Sequence, residues 1–288
     1  MSTTLLIGFD SAWAGNNSGA IVGALKQGND SYTSLGDPQP ANFEQATNQI
    51  KGWQEEHCPT KTLILIDQPT IVQNMAGQRP VENIVGSPVS RRYGGVQPAN
   101  RNKIEMFGDD APIWNFLTAH KATLNPATFN QSQSGTWVIE TYPVLSLIAM
   151  DWLITDDHPN LRPTGRLPKY NPTKRNFSPD DWQYVCNQAA NAFKPTGIMD
   201  LVTWIEAAKN NPLPAARAAR KQLQDCLDAC LCLLVALHLI EGRNCLFIGE
   251  MGTGYMVVPY GQVLDEELIA RCENTARPPA NWIFQIQG

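Results

Sequence analysis

Three short apolar runs in the sequence each end in an acidic residue. They are Leu5 to Phe9 before Asp10, Leu63 to Ile66 before Asp67, and Trp137 to Ile139 before Glu140. Runs of this length and composition are typical of strands buried within a sheet. Ligands of open α/β sheets gather at the carboxyl ends of the strands. We therefore expect the three carboxylates to converge at one edge of a sheet.

The other patterns in the sequence add strands and helices around these runs. Residues 20–25 and 31–35 predict two further strands, so that the chain opens with an antiparallel meander. Helices are predicted over 42–56, 111–119, 144–153, 179–193, 199–210, 214–242 and 263–274, and late strands over 246–248 and 255–258. This order indicates a mixed α/β fold with one central sheet.

The chain of 288 residues is interpreted as a single domain, residues 1–288, with two loop-rich insertions. One insertion lies near 71–110 and is rich in Gly, Pro, Asn and Arg, and the other lies near 155–178 and is rich in proline. Hydrophobic residues make up 43% of the chain, and no long block of one charge occurs. Disorder is therefore excluded as the main state.

Cysteine usage and the apolar runs predict a cytoplasmic protein that does not bind a membrane. The seven cysteines are odd in number and scattered, unlike a secreted disulfide framework. Residues 1–5 lack the basic segment of a signal peptide. The longest apolar run, Ala229 to Leu237, is well short of the roughly 18 residues of a membrane span. The sequence points to no particular protein partner.

Two further acids lie on the predicted long helix. Asp225 and Asp228 are separated by three positions and therefore share one helix face. They lie where the helix changes from basic residues, including Lys221, to an almost wholly apolar stretch. Asp228 is deeper in that stretch and is the stronger candidate for a site. Asp225 has two equally good interpretations, a surface pair with Lys221 or a metal ligand.

Several carboxylates in a partly buried place cannot all remain ionised and unpaired. A divalent cation, basic partners or raised pKa values resolve such a cluster. Oxygen ligands alone suit Mg²⁺ or Mn²⁺, which can assist attack of water on a phosphodiester. We predict catalytic roles for Asp10, Asp67 and Asp228. The predicted metal ligands are Asp10, Asp67, Asp225, Asp228 and Glu140. For any one of the strand-end acids, a turn or helix-cap role is the alternative.

Any phosphate contacts must come from local positive charge, because the net charge of the chain is −5. Two segments supply basic residues, residues 79–103 and residues 158–179. The candidates for phosphate contact are Arg79, Arg91, Arg92, Arg101, Arg166, Lys169, Lys174 and Arg175. Either segment alone is also compatible with a solvated loop. Trp13, near Asp10, is a candidate for stacking on a base or for closing the edge of the sheet.

Several short motifs, taken in order, resemble a known family over nearly the whole chain. They are Asp10 at the end of the first strand, Ile66-Asp67-Gln68-Pro69, Arg79-Pro80-Val81-Glu82, Glu140-Thr141-Tyr142-Pro143, Asp225-Cys226-Leu227-Asp228-Ala229 and Ile248-Gly249 with Val258-Pro259. They look like the family catalogued as domain of unknown function 429, which is regarded as a family of predicted nucleases with an RNase H-like fold.

This resemblance implies a mixed sheet opening with a meander, acids on the first and fourth strands, and acids on a late helix. Asp10, Asp67 and Asp228 match those places, and Asp225 matches the paired acids of Holliday-junction resolvases of the same fold. From the same motifs, Arg79 and Glu82 are assigned to substrate binding. The leading hypothesis is a metal-dependent phosphodiester hydrolase, a nuclease whose substrate is a nucleic acid or a nucleotide.

Two other functions compete with this hypothesis. The first is a sugar-kinase or actin-like phosphotransferase, whose superfamily also begins with a meander and a strand-terminal Asp. Such an enzyme needs a second phosphate-binding hairpin, and the sequence after Asp67 does not show one. The second is a non-catalytic binding protein on a decayed RNase H-like core, which would bind no divalent ion.

Overall fold

The computed structural model describes residues 3–11, 13–15, 17–28, 31–155 and 165–287. A six-stranded sheet forms its centre. The strands are β1 Thr3–Asp10, β2 Gly19–Gln27, β3 Ser31–Ser34, β4 Gln39–Ala41, β5 Lys61–Ile66 and β6 Gly135–Glu140. They follow the order β3-β2-β1-β5-β6, with β4 also paired to β2. The first strands are antiparallel, whereas β1, β5 and β6 are parallel. The predicted mixed α/β fold that opens with a meander is confirmed.

Helices surround this sheet. They are α1 Phe43–His57, α2 Pro80–Arg91, α3 Ile104–Phe107, α4 Pro112–Ala119, α5 Pro143–Ala149, α6 Pro179–Phe193, α7 Met199–Asn210, α8 Arg217–Ile240 and α9 Gln262–Glu273. The seven helices predicted from periodicity are all present, with small shifts at their ends. Part of the second predicted insertion, residues 156–164, lies outside the described residues.

The segment 71–110, predicted as an irregular excursion, contains a regular helix, α2. Its glycine and prolines suggest a broken chain, but Pro80 occupies the first turn, where a missing N–H is harmless. Val81, Ile84 and Val85 are buried on one side of α2. Packing of this apolar face therefore outweighs the poor helix propensity of Gly86 and Pro88.

The late strands do not join the central sheet, so the prediction of one sheet is wrong. β7 Asn244–Glu250, β8 Gly254–Pro259 and β9 Ile283–Gln287 form a separate antiparallel sheet in the order β8-β7-β9. β9 was not predicted. Hydrophobic pattern identifies a strand but does not specify which sheet it joins, because pairing depends on contacts distant in sequence.

Helix α8 is the central element of the core and packs against β1, β2 and β5. At Gly8 of β1, a Cβ atom would lie 2.0 Å from the carbonyl oxygen of Ala229 and 2.5 Å from the backbone nitrogen of Leu233. Only glycine permits this approach of helix to strand. The contact lies two residues before Asp10 and one residue after Asp228, so it fixes the separation of these two acids.

By length and composition α8 could cross a membrane, as an apolar window within it has a mean hydropathy of 1.8. However, 83% of that window is buried inside the protein. This burial is that of a core helix in a globular domain.

Candidate active site

A cavity of about 370 Å³ opens at the carboxyl ends of β1, β5 and β6. Its lining includes four of the predicted acids: Asp10 and Glu140 at the ends of β1 and β6, Asp67 directly after β5, and Asp228 from α8. Glu82 also lines it, and the only cationic lining residues among those described are Arg79 and Lys221. We call this space the acidic cavity.

Strand register explains how the acids meet and which way they face. Phe9 pairs with Ile66, and the backbone N–H of Asp67 donates to the Phe9 carbonyl at 2.9 Å. Asp10 and Asp67 therefore follow paired residues and extend to the same face, toward α8. Ile66 pairs with Glu140 itself. Because side chains alternate along a strand, Glu140 faces the opposite side.

Helix α8 brings Asp228 to the face occupied by Asp10 and Asp67. The Asp228 side chain is 6% exposed, and its Oδ1 accepts a hydrogen bond from the Tyr170 hydroxyl at 2.7 Å. The Gln224 side-chain amide donates to the other oxygen, Oδ2. Both oxygens are thus held by neutral donors, which orient the carboxylate without cancelling its charge.

Asp225 lies fully buried beside this group and pairs with Lys221, one turn earlier on α8. The surface-pair interpretation of Asp225 therefore describes one of its contacts. Its second oxygen, Oδ2, is buried and accepts no hydrogen bond from the described residues. Asp225 consequently retains one oxygen that a cation could use.

Burial and mutual repulsion dominate the electrostatics of the acidic cavity. Burial, then the charges of Asp228 and Asp67, raises the pKa of Asp10 well above its usual value. The pKa of Asp67 is raised in the same way, by burial and then by Asp228. Burial also raises the pKa of Asp228, to about 7. Lys221 opposes these shifts but does not cancel them.

Glu140 and Glu82 have a different environment, because both bind the buried guanidinium of Arg79. Arg79 donates from Nη1 and Nη2 to Glu140 at 2.8 and 2.5 Å, and from Nε to Glu82 at 2.8 Å. Burial alone would lower the pKa of Arg79, but Glu140 and then Glu82 raise it above its usual value. The three side chains form a compensated ionic network that we call the Arg79 cluster.

Backbone amides complete the Arg79 cluster. The N–H groups of Arg79 and Ala99 each donate to Glu82 at 2.9 Å, and that of Thr70 donates to Glu140 at 3.2 Å. These bonds tie α2 and the segment after β5 to the end of β6. They account for the position of Glu140 without a metal ion and for the positions of Arg79 and Glu82 without a substrate, so these three residues have a structural role in the fold.

Several arginines predicted to contact phosphate are occupied elsewhere. Arg92 is fully buried and donates to Glu267 at 2.8 and 3.0 Å, so its assignment to substrate binding is wrong. Arg101 pairs with Asp109 and packs over the Trp114 ring, outside the acidic cavity.

The other predicted basic contacts are also distributed outside the acidic cavity. Arg166 binds Asp181 through both terminal nitrogens, at 2.5 and 3.1 Å. Arg91 and Arg175 are exposed and do not line it. Lys169 and Lys174 line a neighbouring cavity.

Trp13 lines the acidic cavity and also closes the end of the sheet. Its indole N–H donates to the Asp67 carbonyl at 2.9 Å, and its ring meets Phe107 edge to face with centroids 5.7 Å apart. Trp13 thus covers the carboxyl ends of the internal strands β1 and β5 and does not lie at a lateral edge of the sheet. Stacking on a base remains a prediction.

Sequence reasoning did not identify Tyr170, Gln224 or Tyr142, which position parts of this cavity. Tyr170 and Gln224 hold Asp228, and the Tyr142 hydroxyl donates to the Gly95 carbonyl at 2.6 Å. Gln224 carried a usable signal, because it precedes Asp228 by one helical turn. Tyr170 carried none, since it lies 58 residues from Asp228 in the chain.

The donor chemistry of the acidic cavity suits Mg²⁺ or Mn²⁺. Within residues 3–287, apart from the gaps named above, no group of three or more His, Cys, Asp or Glu side chains is arranged so that it could hold a metal ion. Mg²⁺ commonly binds through one or two carboxylates and fills its remaining positions with water or substrate phosphate. An open cavity of oxygen donors with excess negative charge fits this mode better than a closed cage. Asp225, whose Oδ2 is unsatisfied, does not itself line the cavity.

Fold and site together define a mixed α/β domain with a carboxylate-lined cavity at the carboxyl edge of its parallel strands. The chain belongs to the family described as Protein of unknown function (DUF429), which it matches over residues 8–251. This confirms the family resemblance, and the matched region contains every acid of the cavity. No curated protein and no solved structure matches the chain. Its activity is therefore argued from the cavity itself.

Proposed function

We propose that this protein is a divalent-metal-dependent phosphodiester hydrolase, a nuclease acting on nucleic acid or nucleotides on an RNase H-like core. One observation carries the proposal: Asp10, Asp67 and Asp228 share one cavity whose negative charge exceeds that of its cations. Such an excess costs free energy in a buried place unless a cation or a proton compensates it.

In this proposal Asp10 and Asp67, on neighbouring strands, hold Mg²⁺ or Mn²⁺, and Asp228 and Asp225 complete its surroundings. The bound ion supplies a Lewis acid and lowers the pKa of bound water. In the metal-free protein burial raises the pKa of Asp228 to about 7, so Asp228 would exchange its proton near neutral pH when the ion binds. The Tyr170 hydroxyl keeps Oδ1 of Asp228 in place during that exchange.

The described chain gives less support to a phosphotransferase. A sugar-kinase or actin-like enzyme would need a phosphate-binding hairpin after the second acid. Residues 67–79 are all described and contain no strand, and the helix α2 follows directly.

The free cysteines fit the proposed cytoplasmic location. All seven are unpaired thiols, and six of them are buried. A reducing compartment keeps thiols in this state.

Hydrolysis by the D10N variant tests the proposed function. With Mn²⁺, wild-type protein should cleave short single-stranded DNA or RNA, and D10N should lose on the order of 10³-fold in rate, because an ion ligand worth several kcal/mol is removed. The melting temperature of D10N should be no lower than that of wild type, since the change relieves repulsion with Asp67 and Asp228.

E55Q is the matched control for D10N, because Glu55 is an exposed acid on α1 that does not line the acidic cavity. It should cleave at the wild-type rate. The proposal is wrong if D10N retains full activity on every nucleic acid that wild type cleaves, or if wild type shows no activity that depends on a divalent ion.

A further inference from the structure

A second cavity adjoins the acidic cavity and has the opposite charge. Its volume is about 340 Å³, and Lys169 and Lys174 line it. Asp228 is the only acid among its described lining residues. We call this space the basic cavity. Four residues line both cavities, namely Gly95, Asn171, Gln224 and Asp228. The two cavities are therefore neighbouring parts of one cleft that changes from acidic to basic along its length.

The partition between the cavities is a chain of hydrogen-bonded side chains. The Asn171 amide donates to Oε1 of Gln224 at 3.0 Å, and the Gln224 amide donates to Asp228. Tyr170, which lines the basic cavity, donates to the same carboxylate. A ligand in the basic cavity would thus touch the groups that orient Asp228 toward the acidic cavity.

The remaining walls of the basic cavity are apolar and closely packed. Leu147 and Leu167 are buried side chains in its lining. A Cβ atom on Gly94 would lie 2.5 Å from Leu167 Cδ1, so the backbone there leaves no space between loop and wall. Apolar walls with a few polar groups at one side are typical of sites for small organic ligands. The flat face of a nucleobase or a sugar would fit against them.

The lysines are placed to bind an anion at this position. Lys169 is half-buried and donates from Nζ to the Tyr93 carbonyl at 2.6 Å, which keeps its charge at the cavity wall. Lys174 is exposed at the same cavity. Two cations opposed by a single acid favour a phosphate group. Tyr93, beside them, is 58% exposed and has a left-handed backbone with φ of 60°.

We propose that the basic cavity binds the phosphate next to the scissile one, with the attached nucleoside against its apolar wall at the partly exposed Val144. For its choice of ligand this inference rests on the proposed function, and it narrows the substrate to a short single strand or strand end. Each cavity has the volume of a small-molecule site. A duplex would instead require an open basic surface, which the net charge of −5 does not favour.

Calorimetry with three thymidine dinucleotides tests this inference. One probe has no terminal phosphate, one has a 5′-phosphate and one has a 3′-phosphate. Ca²⁺ is present to compensate the negative charge of the acidic cavity. Wild-type protein should bind one of the two phosphorylated probes about tenfold more tightly than the unphosphorylated probe, which corresponds to about 1.4 kcal/mol. This preference should fall below about threefold in K174Q and disappear in K169Q/K174Q.

K51Q is the matched control, because Lys51 is an exposed lysine on α1 that lines neither cavity. It should keep the full preference for the terminal phosphate. K174Q alone keeps the test decisive if the double variant does not fold, since Lys174 is exposed.

Three results would overturn the inference: no preference for either terminal phosphate, a preference unchanged in K174Q, or no binding of any of the three probes. Hydrolysis with Mn²⁺ is measured separately. Cleavage without lysine-dependent phosphate preference rejects the basic cavity alone. Lysine-dependent binding without cleavage rejects the hydrolase and leaves the cavity as a phosphate site.

Discussion

Two groups of buried acids lie at the same end of the central sheet, and they are stabilised in different ways. Glu140 and Glu82 surround the fully buried guanidinium of Arg79 and accept further bonds from backbone amides. Asp10, Asp67 and Asp228 repel one another, and among the described residues the Lys221 ammonium opposes the resulting rise in their pKa values. The charges of Glu140 and Glu82 are compensated within the fold. Asp10, Asp67 and Asp228 instead have an excess of negative charge that a cationic ligand could compensate.

The difference arises from a register offset of one residue. Asp10 and Asp67 follow the paired residues Phe9 and Ile66, whereas Glu140 is itself paired with Ile66. Alternation along the strands therefore directs Glu140 to the side where Arg79 lies, and Asp10 and Asp67 to the side of α8. Three similar strand ends thus produce one structural acid and two candidate ligands.

Removal of the Arg79 charge should have the largest effect on stability. R79Q leaves Glu82 and Glu140 buried without their cation, which should reduce the free energy of unfolding by about 3–5 kcal/mol. Urea denaturation measures the change. R91Q, on the exposed end of α2, should stay within about 0.5 kcal/mol of wild type. If the urea midpoint of R79Q equals that of wild type, the Arg79 cluster does not stabilise the fold.

Stabilisation by Mn²⁺ should separate the two groups of acids. At a concentration about 100 times its dissociation constant, a bound ion should add about 2.7 kcal/mol to the free energy of unfolding. Thermal melting should show this gain in wild type, and D67N should lose it. E140Q should retain the gain even though its own stability is lower. Loss of the gain in both variants would mean that the two groups act as one site.

The pH dependence of the free energy of unfolding should reflect the raised pKa of Asp228, whose charge is not compensated by a cation. In metal-free protein, the pKa of Asp228 is raised from 3.8 to about 7. The folded state therefore holds this proton more tightly than the unfolded state. The resulting stabilisation is complete below pH 4 and is lost as the pH rises through 7. Between pH 6.5 and 8.5 the contribution of Asp228 should fall by about 0.8 kcal/mol, equivalent to roughly 2–3 °C in melting temperature.

D228N should lack this decrease, so its free energy of unfolding should rise by about 0.8 kcal/mol relative to that of wild type over the same interval. Burial lowers the pKa values of His120 and His238 to about 4, so each adds about 0.4 kcal/mol of stability over this interval as the unfolded imidazoles lose their protons, and both proteins share this gain. The charged and titratable groups around Asp228 are Asp10, Asp67, Asp225, Lys221 and Tyr170. A slope equal to that of wild type would assign the effect to these neighbours instead.

Local pattern was sufficient to predict the three strands that end in acids, and seven of the helices, although not α2 or β9. β1, β5 and β6 each have a continuous apolar run, and an acid at the end of such a run is visible in the sequence. Spacing on a helix likewise places Asp225 near Lys221 and Asp228. These relations extend over a few residues, so periodicity alone expresses them.

Pairings between distant residues were beyond the reach of such patterns. Arg79 and Glu140 are 61 residues apart, and Tyr170 and Asp228 are 58 apart. The sequence shows the members of each pair but not that they meet. For that reason Glu140 resembled Asp10 and Asp67, and a core arginine such as Arg92 resembled a phosphate contact. The separate sheet of β7, β8 and β9 was missed for the same reason.

The absence of a side chain at Gly8 bears on the ion selectivity of the metal site that we propose. Because α8 rests directly on β1 there, the spacing of Asp10 and Asp228 is set by main-chain contact and not by deformable side chains. Even the methyl group of an alanine at position 8 would clash with the backbone of α8 and move the helix away from β1. The distance between Asp10 and Asp228 would then increase. In the proposed site a larger ion such as Ca²⁺, which tolerates longer and less regular oxygen contacts, would be favoured over Mg²⁺.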